Sequence, residues 1–214
     1  MARETAANMW PSGRALGVAV ALLAGAGITT LAGNILIHVG FPDRPYPDDL
    51  LFRMVPPVYE AQYLTEPAII GSLAILLVYA IRHARERFAE MLAMFGIFYL
   101  VRSVLMVLTP LANAYDGPSH YGTIPLDQLG MFPSGHAGAA LMCFMLIDAA
   151  RAPVARRVAL WLMITQVVAL LLSRGHFSID LAGGVLLAYF VVREWNDGAS
   201  FRPVQRMMGA GEPT

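Results

Sequence analysis

The chain has 214 residues, of which 57% are apolar and 14% charged, with a formal net charge of zero. With the apolar residues gathered in runs rather than alternating, this composition excludes an ordinary soluble domain and points to an all-α polytopic membrane protein. All fifteen basic residues are arginine, which excludes lysine chemistry, and the single cysteine, Cys143, excludes an intrachain disulfide.

A bilayer core about 30 Å thick asks for about 20 apolar residues per helix. Six stretches qualify in chain order: 15–39, 63–81, 91–111, 131–150, 154–172 and 177–192. The first follows Arg3 and Arg14 but is too long for the apolar region of a signal peptide, so it reads as a retained helix. The expectation is a bundle of six transmembrane helices over 15–195. A cytoplasmic segment, 1–14, precedes it, and a loosely ordered cytoplasmic tail, 196–214, follows.

Arginine placement sets the orientation. Arg3, Arg14, Arg82, Arg85, Arg87, Arg151, Arg156, Arg157, Arg193, Arg202 and Arg206 fall on one side of these helices. The other side holds Arg44 and Arg53, diluted by Asp43, Asp48, Asp49, Glu60 and Glu66. Both termini are therefore expected in the cytoplasm, with 40–62, 112–130 and 173–176 outside. The lysine-free, Ala-, Gly- and Arg-rich composition suggests a bacterial inner membrane, which makes the outer face periplasmic.

Along the chain, Asn34 and His38 at the end of the first helix and His83 in a basic loop read as ordinary interfacial groups. Met91, Met94 and Met106 read as packing. Arg102 falls within the third helix, where a guanidinium is costly and faces the protein interior or a wet cavity. It suits either bidentate contact with a phosphate or an ion pair with Asp180 or Asp148. Asp116, His120, Tyr121 and Asp127 occupy the outer loop, where a headgroup could be recognised.

Pro133-Ser134-Gly135-His136 opens the fourth helix. Pro and Ser suit a helix start, Gly admits close approach of a ligand, and free backbone N–H groups favour an anion, so Ser134 and Gly135 are candidate phosphate binders. His136 is placed to act as general acid and base. The second motif, Ser173-Arg174-Gly175-His176-Phe177-Ser178-Ile179-Asp180, sets His176 and Asp180 one helical turn apart. Asp180 can hold one ring nitrogen and leave the other free as a nucleophile, with Arg174 as a second phosphate clamp. The inferred topology brings both histidines to one membrane face. A plain reading, two capped helix starts with interfacial histidines, and a metal-dependent one, with His136, His176, Asp180 and His120 as ligands, stand beside it.

These residues resemble the type 2 phosphatidic acid phosphatase superfamily, and within it most closely the sphingomyelin synthase branch, from about Met91 to Val192. Arg102-Ser103 with Thr109-Pro110 is similar to that branch's arginine-bearing third helix. Gly130 to His136 is similar to its Ser-Gly-His segment, and His176 to Asp180 to its His-Tyr-Thr-x-Asp segment. The phosphatase branch's lysine is missing, whereas Pro133 and Ala137 around Ser-Gly-His look like the phosphatase pattern. The resemblance implies a phosphohistidine at His176, orientation by Asp180, acid–base work at His136, and no metal or cofactor. It implies transfer of a phospho-headgroup from a glycerophospholipid to ceramide, diacylglycerol or water. The implied partners are these lipids and the bilayer, with no nucleic acid.

Overall fold

In the computed structural model, which describes residues 10–117 and 130–209, all regular elements among those residues are helical. Helix α1 spans Gly13–Gly40, α2 Leu50–Met54, α3 Gln62–His83, α4 Phe88–Leu108, α5 Gly135–Leu146, α6 Pro153–Leu172, α7 Ser178–Asp197 and α8 Arg202–Met207. Short 3₁₀ turns at Tyr59–Ala61 and Arg85–Arg87 lead into α3 and α4.

Local sequence explains the ends. Ser12 caps α1 by accepting from the Ala15 amide at 3.1 Å, Ser134 caps α5 from the Ala137 amide at 3.3 Å, and Pro153 occupies the first turn of α6. Helix α4 stops at Leu108 because Pro110 follows. Helices α1, α3, α4 and α6 are long and apolar enough to cross a membrane. Their outward faces carry exposed Ile28, Leu31, Ile70, Leu77, Val104 and Trp161, the surface expected where the solvent is acyl chain.

Of the six expected spans, four are long and apolar enough to cross a membrane among the described residues. The stretch 131–150 yields only the twelve-residue α5, because Pro133 precedes its cap and Asp148 turns the chain by accepting from the Ala150 amide at 2.8 Å. Helix α7 is long enough, but Asp180, Arg193, Glu194 and Asp197 make it too polar to qualify. Its position explains the short α5: it packs against α3, α4, α6 and α7, with Ala137, Ala139, Ala140, Met142 and Cys143 buried. A helix enclosed by other helices needs neither the length nor the uniform hydrophobicity that lipid demands.

Helix α1 lies instead along α4 at the edge, held by small residues and one polar pair. A Cβ on Gly96 would lie 2.7 Å from Leu22 Cβ, so the two helices approach as closely as glycine allows. Thr30 Oγ1 and Ser103 Oγ are 2.7 Å apart. The segment expected as a loose tail contains α8, fastened by Gln205 Nε2 donating to the Trp195 carbonyl at 2.7 Å and by buried Met208.

Candidate functional site

The two histidine motifs meet through their backbones. The Ser134 amide donates to the Asp180 carbonyl at 2.8 Å, joining the start of α5 to the first turn of α7. Glycine makes the approach possible: a Cβ at Gly184, one turn further along α7, would sit 2.3 Å from the Ser134 carbonyl oxygen. The Phe132-Pro133 peptide that leads into this junction is cis.

His176 is 2% exposed and Asp180 fully buried. Asp180 Oδ2 lies 3.3 Å from His176 Nδ1 and also accepts from the Phe177 amide at 3.1 Å, so the carboxylate caps α7 and holds the imidazole with one oxygen. Asp180 Oδ1 is buried without a hydrogen-bond partner among the described residues. His136, half-buried on the first turn of α5, has the charges of His176, Arg102 and Glu66 as its electrostatic neighbours. Its ring makes no hydrogen bond with any described residue.

Both arginines hold backbone. Arg102 donates from Nε to the Pro133 carbonyl at 2.9 Å and from Nη2 to the Gly130 carbonyl at 2.9 Å, with Nη1 3.7 Å from Met106 Sδ. The expected ion pair with Asp180 or Asp148 does not form; the carbonyls of the strand leading into α5 take its place. Gly135 leaves room for this, since a Cβ there would lie 3.0 Å from Arg102 Nε. Arg174 follows α6 with φ 60°, a left-handed conformation that usually belongs to glycine. Its Nη2 donates to the carbonyls of Phe52 at 2.6 Å and Val55 at 3.1 Å, and its guanidinium carbon stands 3.9 Å from the centre of the Phe52 ring. Arg174 Nη1 is buried and has no hydrogen-bond partner among the described residues. Ser134 Oγ is occupied as the α5 cap.

The residues around α2 form a second ring that sequence reasoning missed. Asp49 Oδ1 accepts from the Leu51 amide at 2.9 Å and from Ser178 Oγ at 3.0 Å, while Oδ2 accepts from the Ser178 amide at 2.5 Å. It therefore caps both α2 and α7. Phe52 stacks on Phe177 with ring centres 5.6 Å apart, and Tyr46 meets the same ring edge-on at 5.0 Å. Burial, then the Asp116 carboxylate, push the Tyr46 phenol pKa up while Arg174 pulls it down. The phenol thus remains a donor, aimed at the Ala114 carbonyl 3.4 Å away.

Asn34, read as an interfacial residue, accepts from the Gly130 amide at 3.1 Å and steadies the same approach to α5. The pattern held one signal for Asp49, a carboxylate immediately before the apolar Leu50-Leu51-Phe52, where a helix cap belongs; its partner lies 129 positions away. Of the outer-loop residues considered for a headgroup, Asp116 accepts from the Tyr59 hydroxyl at 3.1 Å. His120, Tyr121 and Asp127 lie outside the described residues. Among the described residues no three His, Cys, Asp or Glu side chains form a metal-binding group.

Chemically, the arrangement offers a buried carboxylate–imidazole pair, a second imidazole without a hydrogen-bond partner among the described residues, and a backbone junction between them. Residues 65–194 match the model of the family described as AtPDCT1/2, which denotes phosphatidylcholine:diacylglycerol cholinephosphotransferase. No curated protein matches the chain. The family match overturns the assignment to the type 2 phosphatidic acid phosphatase superfamily, in keeping with the missing lysine of the phosphatase pattern.

Proposed function

Because the chain belongs to the AtPDCT1/2 family of lipid headgroup phosphotransferases, we propose that it moves a phosphocholine-type headgroup from a glycerophospholipid to a lipid hydroxyl by way of a phosphohistidine. Diacylglycerol is the first acceptor to consider, from the family's name, and ceramide the second. The single observation that carries this reading is the 2.8 Å bond between Ser134 and Asp180, because it ties the start of α5, which bears His136, to the first turn of α7, next to His176.

In this reading a proton on His176 Nδ1 is held by Asp180 Oδ2, which leaves the Nε2 lone pair to attack phosphorus. The bond from phosphorus to the diacylglycerol oxygen breaks as His136 protonates that oxygen. In the second half, His136 takes the proton of the acceptor hydroxyl, whose oxygen attacks the phosphohistidine and frees His176. Arg174 Nη1, the guanidinium nitrogen without a partner among the described residues, is a donor for a phosphoryl oxygen, and Arg102 keeps the α5 approach in register. The Ser134 amide is committed to the Asp180 carbonyl, so of the two candidate amides Gly135 is the one that serves the same anion. Helices α5 and α7 complete, with the four apolar ones, a six-helix membrane body whose site faces the outer leaflet.

The test uses purified protein in proteoliposomes with a headgroup-labelled phosphatidylcholine donor and either diacylglycerol or ceramide. Label should pass to the acceptor lipid, and acid-labile label should remain on the wild type after a brief reaction but not on His176→Ala. Normal turnover in His176→Ala or His136→Ala, or label released only into water, would refute the proposal.

A further inference from the structure

At the end of the bundle away from the histidines, α3 and α6 part to form a groove of about 560 Å³. The two helices are joined at the histidine end, where the Val58 amide donates to the Leu172 carbonyl at 2.8 Å. They are joined again at the far end, where Arg151 Nη1 donates to the His83 carbonyl at 2.9 Å. Ile75 and Val78 of α3 face Val154 and Val158 of α6 across the groove, and Arg82 and His83 form its end.

The charge at that end is unbalanced. Arg82 is exposed and makes no hydrogen bond or ion pair with any described residue. The neighbouring acids are engaged elsewhere: Glu86 and Asp148 by Arg151, at 3.3 and 3.8 Å, and Glu90 by Arg87 at 3.3 Å. None of the residues lining the groove is acidic. Both walls are helices apolar enough to cross the membrane, so the floor lies at hydrocarbon depth and Arg82, in the last turn of α3, lies at headgroup depth. An apolar trough ending in an unpaired guanidinium matches one chemistry, acyl chain followed by an anionic phosphate. A water-soluble partner cannot reach the floor.

We propose that this groove binds one anionic phospholipid of the leaflet opposite the histidines, with its chains against Val154 and Val158 and its phosphate on Arg82. The site is separate from the transferase site, so its test needs no turnover. The full chain, purified in mild detergent, is mixed with phosphatidylglycerol or with phosphatidylcholine of the same chains, and the lipid retained is read by native mass spectrometry.

Wild type should retain phosphatidylglycerol about fivefold more than phosphatidylcholine, the effect of one arginine facing an anionic surface. Arg82→Gln should abolish the preference and Arg82→Lys keep it. Val154→Trp, which fills the trough while leaving the charge, should lower retention of both lipids, with helical circular dichroism confirming the fold. Equal retention of the two lipids by wild type, or Arg82→Gln behaving as wild type, would overturn the proposal. So would a dimer that Val154→Trp abolishes, because a second copy would then fill the groove.

Discussion

Gly184→Ala adds one methyl group to a residue with no part in the proposed chemistry, and it should nevertheless disable the site. The new Cβ would stand 2.3 Å from the Ser134 carbonyl oxygen and 3.1 Å from its carbon, whereas ordinary contact begins near 3.4 Å. The first atom it meets is backbone, not the end of a flexible side chain, so α5 and α7 must separate by about 1 Å. That displacement takes the Ser134 amide away from the Asp180 carbonyl, now 2.8 Å apart. Overpacking of this kind costs about 1–3 kcal/mol of stability. Moving reacting groups by about 1 Å lowers rate by about a hundredfold. Gly17→Ala is the matched control: the Cβ meets nothing within 4 Å, and alanine favours the helix by about 1 kcal/mol. Turnover and thermal unfolding in the same detergent are the assay. Gly184→Ala with wild-type activity would refute the argument that this close approach sets the distance between the motifs.

Asp49→Ala removes three hydrogen bonds that cap two helices and should cost about 2–4 kcal/mol, seen as a lower unfolding temperature. Asp49→Asn should recover only part of this, because the NH2 that replaces one carboxylate oxygen cannot accept a hydrogen bond, leaving one acceptor oxygen for three donors. At Arg174 the order of thermal stability should be Arg, then Gly, then Ala: both replacements lose the bonds to Phe52 and Val55, but glycine escapes about 1–2 kcal/mol of left-handed strain. Alanine as stable as glycine would contradict this. Asp180→Asn keeps the shape but no longer favours a proton on His176 Nδ1, and should lower turnover by about 10³–10⁴-fold with the fold retained.

The long apolar helices were legible because lipid-facing residues must be apolar all along a span: 15–39 and 154–172 differ from Gly13–Gly40 and Pro153–Leu172 by at most two residues. Helix α5 was overestimated for the complementary reason, since its neighbours are other helices and hydropathy does not distinguish protein from lipid. The pair His176 and Asp180 was readable because both lie on one helix turn. Arg102 was recognised as interior, but its partners are carbonyl oxygens of Pro133 and Gly130, which every residue possesses and no pattern marks. Asp49 reaches the motifs only through folding, and in the chain it looks like a solvated loop charge.

The partnership of α1 with α4 bears on how the chain is assembled during synthesis. Its packing partner emerges from the ribosome well after α1 itself, with all of α3 in between. Until then α1 must reside in lipid alone, and a mean hydropathy of 2.0 over an 18-residue stretch of this 28-residue helix equips it to do so. Helix α5, twelve residues long, has no such independence. It can settle only once α6 and α7 are translated, so the histidine-bearing core should be the last part of the molecule to mature, and truncation before α7 should leave the earlier helices inserted while α5 stays sensitive to protease.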